Sequence, residues 1–132
     1  MKKILSLIVM LIMITPVLAY DSEIKQLADI IDRNTNTTFQ KVQIVEVLVD
    51  NMIQYEFNYR AKGITRTWDD KTGDCTDRAM LKQYMLGRMD VPARLVHGYN
   101  NNGIKHDWYQ YQYNNLWYSS ETDSIKRGYG VW

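Results

Sequence analysis

One cysteine, two histidines and two acids near the end of the chain are the residues whose types and spacing could do covalent chemistry. The cysteine, Cys75, sits in the run Gly73-Asp74-Cys75-Thr76-Asp77-Arg78-Ala79-Met80-Leu81. A lone cysteine has no intramolecular disulfide partner. Gly73 offers a flexible approach, Asp74 or Thr76 can cap a helix, and Ala79 to Met89 reads as that helix. Cys75 then falls in the first turn, where unpaired backbone N–H groups and the helix dipole favour a thiolate. A free thiol titrates near ~8.5, and a helix N-terminus with a neighbouring imidazole is what lowers that value in catalytic cysteines. From this run alone, a small buried hydrophobe is an equal reading.

A nucleophilic thiol needs a base within hydrogen-bond reach and a third group to orient the base. His106 opens a strand in Lys105-His106-Asp107-Trp108-Tyr109, and His97 ends the preceding one in Leu95-Val96-His97-Gly98. Alternation puts His106, Trp108, Gln110 and Gln112 on one face and Tyr109, Tyr111 and Tyr113 on the other. The tyrosine stripe reads as packing. With a tight turn at Asn114-Asn115, His106 lies opposite residue 123, so Glu121 and Asp123 are both within a side chain's reach. Without the cysteine, both acids would read as solvated strand-end charges. No C-x-x-C or H-x-x-x-H spacing appears, so neither a metal nor a cofactor is expected.

The rest of the chain must position these groups. Lys2 and Lys3 precede an apolar run from Ile4 to Ile14, then Thr15-Pro16 and Val17-Leu18-Ala19. This is the layout of a cleaved secretory signal over 1–19, with an uncleaved anchor as the weaker alternative. A single mature domain, 20–132, is then expected outside the cytoplasm, secreted or in the cell envelope, with no stable membrane association. Losing two lysines takes Lys+Arg from 16 to 14 against 15 acids, a net charge of −1. No basic stripe suggests nucleic acid. An oxidising compartment gives an unprotected thiol no shelter, so a chain that keeps one is expected to use it.

Asp21-Ser22 starts a helix with Ile24, Leu27, Ile30 and Ile31 on one face. A second helix runs from Phe39 to Ile53. Tyr55, Phe57 and Tyr59 alternate as a short extended segment, and 60–74 is a polar loop. The cysteine helix stops near Asp90, ahead of Val91-Pro92. Ala93 to Tyr99 is a strand, Asn100-Asn101-Asn102-Gly103 a hairpin turn, His106 to Tyr113 the second strand and Leu116 to Asp123 the third. Gly128 and Gly130 mark irregular structure. Helices followed by an antiparallel meander make the fold class α+β.

Gly73 to Leu81, then Val91-Pro92-Ala93-Arg94-Leu95-Val96-His97-Gly98-Tyr99, then His106-Asp107-Trp108, then Trp117-Tyr118 followed by an acid, resemble the transglutaminase-like superfamily of papain-type cysteine enzymes. The blocks come in the family's order over roughly 42–131. The Val-Pro-Ala-Arg-x-Val-His-Gly block with Trp-Tyr and the Gly128-Tyr129-Gly130-Val131 ending most resemble the pseudomurein endoisopeptidase branch. The resemblance implies a papain-like core in which the cysteine helix packs on the meander. It implies Cys75 as nucleophile, His106 as base and an acid as orienter. The family places that acid four residues after the tryptophan, as aspartate. Here Glu121 holds that register and Asp123 follows, so the two are alternatives, with Glu121 favoured. Asp90 stands where the family has glycine, at a helix end that aspartate tolerates. The expected activity is acyl transfer through a thioester, most simply hydrolysis of peptide or cell-wall amides. A crosslinking or deamidating enzyme, or an impaired peptide- or wall-binding module, are the alternatives. Oligomeric state is not legible.

Overall fold

The computed structural model describes residues 19–120 and 130–131. Helix α1 spans Ala19–Arg33 and α2 spans Thr38–Met52. Ile24, Ala28 and Ile31 form the buried stripe of α1, while Ile30 is 49% exposed. The expected face therefore shifts. At about 100° per residue, Ile24, Ala28 and Ile31 share a narrow arc, whereas Ile30 lies roughly a third of a turn round from Ile24 and faces solvent. Helix α2 opens on a capping box: the Thr37 side chain accepts the Gln40 N–H, and the Gln40 side chain accepts the Thr37 N–H. Val42, Val45 and Val49 bury its inner face, as their spacing predicts.

The expected polar loop is partly built. Strand β1 is only Gln54–Tyr55, followed by helix α3 over Ile64–Asp70 and strand β2 over Thr72–Gly73, which pairs with β1 in parallel. Beyond Tyr55 the extended segment joins no strand, and Phe57 and Tyr59 are exposed. Helix α3 is too short to show a hydrophobic period. Tertiary contacts hold it instead: Trp68 is buried, and its indole N–H donates to Glu23 of α1 at 2.9 Å.

Helix α4 covers Cys75–Arg88. Met89 is its C-cap, and the next residue, Asp90, has φ 58°, the left-handed conformation in which glycine is commonest and aspartate is tolerated. Strands β3 (Ala93–Tyr99), β4 (Lys105–Tyr113), β5 (Leu116–Ser119) and β6 (Gly130–Val131) form one antiparallel sheet in the order β5-β4-β3-β6. Asn114 and Asn115 both have positive φ, as a two-residue hairpin turn requires. The first two strands and both turns of the meander are as expected; the third strand is seen over Leu116–Ser119, residues 121–123 of its expected span lie outside the described residues, and Gly130 joins a strand instead of irregular structure. Main-chain bonds to β3, not side-chain pattern, define that strand.

The core sits where α1, α2 and α4 meet the sheet face carrying Tyr109 and Tyr111. Val96 and Trp108, paired across β3 and β4, are buried on the opposite face. Leu81, Met85 and Leu86 are fully buried and put the inner face of α4 at the centre of the core. Among the described residues, no helix is long and apolar enough to cross a membrane. The expected leader falls outside them, apart from Ala19, which opens α1.

Candidate active site

Cys75 is the first residue of α4, and Asp74 is its N-cap. The cap is a reciprocal pair of aspartates. The Asp77 N–H donates to Asp74 Oδ1 at 3.0 Å, and the Asp74 N–H donates to Asp77 Oδ2 at 3.3 Å. Asp77 is fully buried, and its Oδ1 also accepts the N–H groups of Lys62 at 2.7 Å and Gly63 at 3.2 Å. Three backbone donors therefore converge on one carboxylate and lock the loop before α3 to the helix start. Burial, reinforced by the charge of Asp77, pushes the Asp74 carboxyl above its ordinary range against the pull of its own N–H bonds.

Gly73 is not there for flexibility. A Cβ at this position would lie 2.7 Å from Asp77 Cβ and 3.1 Å from Thr67 Cγ2. The close approach of β2 to the first turn of α4 is what demands glycine.

From the sheet, β4 brings His106 to the same cleft as Cys75, a cavity of about 260 Å³. His106 pairs in register with Gly98 and stacks on Trp108, with ring centroids 6.0 Å apart. Trp108 also lines this cleft, is 1% exposed, and its indole nitrogen has no hydrogen-bond partner among the described residues. Ser120 lines the cleft as well, and its backbone N–H donates to the Tyr109 carbonyl at 3.0 Å. Glu121 and Asp123, the expected orienting acids, lie outside the described residues.

The remaining wall is charged. Arg78 and Lys82 follow Cys75 at three and seven residues and share its side of α4. Arg78 Nε donates to the Ile53 carbonyl at 3.1 Å. Lys82 Nζ reaches Glu46 at 2.7 Å and Asp50 at 2.9 Å, both on α2. The other Glu46 oxygen accepts the Tyr109 hydroxyl, which burial and then the Glu46 charge hold far above the usual phenol range. Tyr109 is thus packing, as its stripe suggests, but its hydroxyl joins the cleft network. Each buried charge here has an opposite partner, which offsets the cost of taking it out of water.

His97 does not join Cys75. It pairs across the hairpin with Asp107, whose Oδ1 meets its Nδ1. The other oxygen of Asp107 accepts the Thr76 hydroxyl at 2.6 Å. Sequence reasoning missed Asp107, Asp77 and the Glu46–Lys82 pair as site residues. Asp74-x-x-Asp77 at a helix start was a readable capping signal. Nothing local in the sequence announces the other contacts. Among the described residues, no group of three or more His, Cys, Asp or Glu could hold a metal ion.

The geometry offers a thiol at a helix N-terminus and an imidazole from a neighbouring strand in one polar cleft. The family model of the transglutaminase-like superfamily matches residues 25–125. The chain belongs to that superfamily.

Three solved structures share the fold. A candidate cysteine protease from Cytophaga hutchinsonii aligns with TM-score 0.63 and 18% identity, over 74% of this chain and 36% of its own. A candidate protease from Parabacteroides distasonis aligns with TM-score 0.65 and 14% identity, over 78% of this chain and 23% of its own. A TGase aligns with TM-score 0.66 and 16% identity, over 84% of this chain and 35% of its own. The chain thus spans between about a quarter and a third of these relatives. A search of curated proteins returned no match.

Proposed function

We propose that the protein is a cysteine-dependent acyl-transfer enzyme working outside the cytoplasm. It hydrolyses amide or isopeptide bonds in peptide or cell-wall material. The observation that carries this reading is that Cys75, on the first turn of α4, and His106, on β4, line one cleft. The Cys75 thiolate attacks the amide carbonyl, His106 protonates the departing amine, and water resolves the thioester with His106 as base. The backbone N–H of Cys75 is one donor to the developing oxyanion, and the unpartnered Trp108 indole is the candidate second. Glu121, in the family register, orients His106, with Asp123 as the alternative. The two motif blocks named above favour the pseudomurein endoisopeptidase branch, and the Lys2-to-Ala19 leader favours export.

Incubating the protein and its Cys75→Ala variant with peptidoglycan, pseudomurein and peptide libraries tests this. New amine termini from the wild type alone support hydrolysis. Ammonia without new termini points to deamidation, and joined peptides to crosslinking. Equal substrate retention by both proteins under reducing conditions, with no product, replaces the enzyme with a binding module.

A further inference from the structure

Thr76 follows Cys75 in the chain and Asp107 follows His106, so the 2.6 Å hydrogen bond from Thr76 to Asp107 ties together the residues next to the two reacting groups. It is a side-chain link between the first turn of α4 and the start of β4, and it is short and charge-assisted. Asp107 is not free to swing away from it. Its second oxygen is held by His97 Nδ1, directly opposite on β3, and its side chain is 13% exposed. The carboxylate is therefore pinned from the strand side and grips the helix side.

We propose that Asp107 is a positioning residue for the Cys75–His106 pair, acting through Thr76 and anchored by His97. The inference rests on the reading of Cys75 as a nucleophile activated by His106. Thiolate stabilisation by an imidazole falls steeply with separation, so a strut one residue from each partner sets how far the thiol is activated. The Asp77 clamp cannot replace it, because that clamp ties the helix start to Lys62, Gly63 and Asp74 and, among the described residues, makes no bond to the four-stranded sheet. Asp107 acts on the pair through Thr76 and not by contact with substrate.

The test is the rate of Cys75 alkylation by iodoacetamide as a function of pH, on the full chain, with thermal melting measured alongside. In wild type, alkylation persists well below pH ~8.5. Asp107→Ala should slow it roughly tenfold at pH 6 by returning the midpoint about one unit toward that of a free thiol. Thr76→Val should reproduce most of this loss. The double variant should be no slower than Asp107→Ala alone, because both remove one link. Asp107→Asn keeps an acceptor for Thr76, so it should recover most of the rate and also guards against a misfolded alanine variant. If Asp107→Ala and Asp107→Asn both alkylate like wild type and only melt earlier, Asp107 is merely structural and the proposal fails. Multiplying effects in the double variant overturn it equally. An ordinary free-thiol profile in wild type is a different failure: it removes the activated cysteine itself, and with it anything for Asp107 to position.

Discussion

Helix α4 is one element in two environments. Its first two turns carry Cys75, Asp77, Arg78 and Lys82, tied by directed hydrogen bonds to α2, to the loop before α3 and to the residue after α2. Its last two turns carry Met85 and Leu86, fully buried in the apolar core. Apolar burial is strong and has no preferred direction, whereas hydrogen bonds contribute little net energy and fix position closely. The lower half therefore holds the fold, and the upper half aims the site. Stability and reactivity should be separable by where α4 is cut.

The sharpest separation is at the top. Cys75→Ala should abolish turnover, a loss of roughly 10⁴-fold or more, with melting almost unchanged. His106→Ala should act nearly as strongly and return alkylation of Cys75 to the pH dependence of a free thiol. A wild type and His106→Ala that titrate alike would show that no thiolate–imidazole pair exists. At the bottom, Leu86→Ala should cost about 2–5 kcal/mol in urea unfolding, while each molecule still folded keeps its alkylation profile.

Gly73→Ala lies on the boundary and should blur the comparison. The added methyl needs space that Asp77 occupies at 2.7 Å, so it should cost about 1–3 kcal/mol and slow Cys75 alkylation together. A loss of stability with an unchanged alkylation profile would place the clamp with the core instead of the site. Glu121→Gln should cut turnover more than Asp123→Asn. The reverse order moves the orienting role to Asp123, and two mild effects leave a dyad.

Asp74 gives the smallest effect and the finest test. Its carboxyl is raised by burial, so the folded state holds this proton more tightly than the unfolded one. The contribution of the group is then fullest below its unfolded pKa and declines as pH rises through the folded value. Asparagine caps a helix as well as aspartate and does not titrate. Asp74→Asn should therefore gain on wild type as pH rises over that window, whereas Asp74→Ala should lose about 1 kcal/mol by removing the cap. Parallel stability–pH curves for wild type and Asp74→Asn would contradict this.

Local pattern was enough for the elements that state themselves. Strand Ala93–Tyr99, the Asn114-Asn115 turn and the placement of Cys75 in a first helical turn all follow from short-range rules of capping, turn geometry and alternation. Helix α3 and the β1–β2 pair did not follow. Seven residues carry no readable period, and two-residue strands exist only through each other. Ile30 was placed with its neighbours by helical spacing, yet it lies about a third of a turn from Ile24 and is exposed, while Ala28 is buried instead.

The site divides along the same line. Residue types and order were enough to single out Cys75 and to narrow its base to two histidines, between which the family resemblance chose His106. Which histidine reaches the cleft, and what the other does, is a matter of register. The hairpin closes with Tyr99 opposite Lys105, so the turn spans 100–104, one residue more than its Asn-Asn-Asn-Gly signal marks. That residue sets His97 against Asp107 and His106 against Gly98. In a strand of period two, a one-residue slip turns every side chain to the other face. The sequence alone determined a cysteine poised at a helix N-terminus. Only tertiary structure decided the Asp77 clamp, the Thr76–Asp107–His97 link and the charged wall of Glu46 and Lys82, because each joins groups from elements far apart in the chain, and no local pattern encodes such a distance.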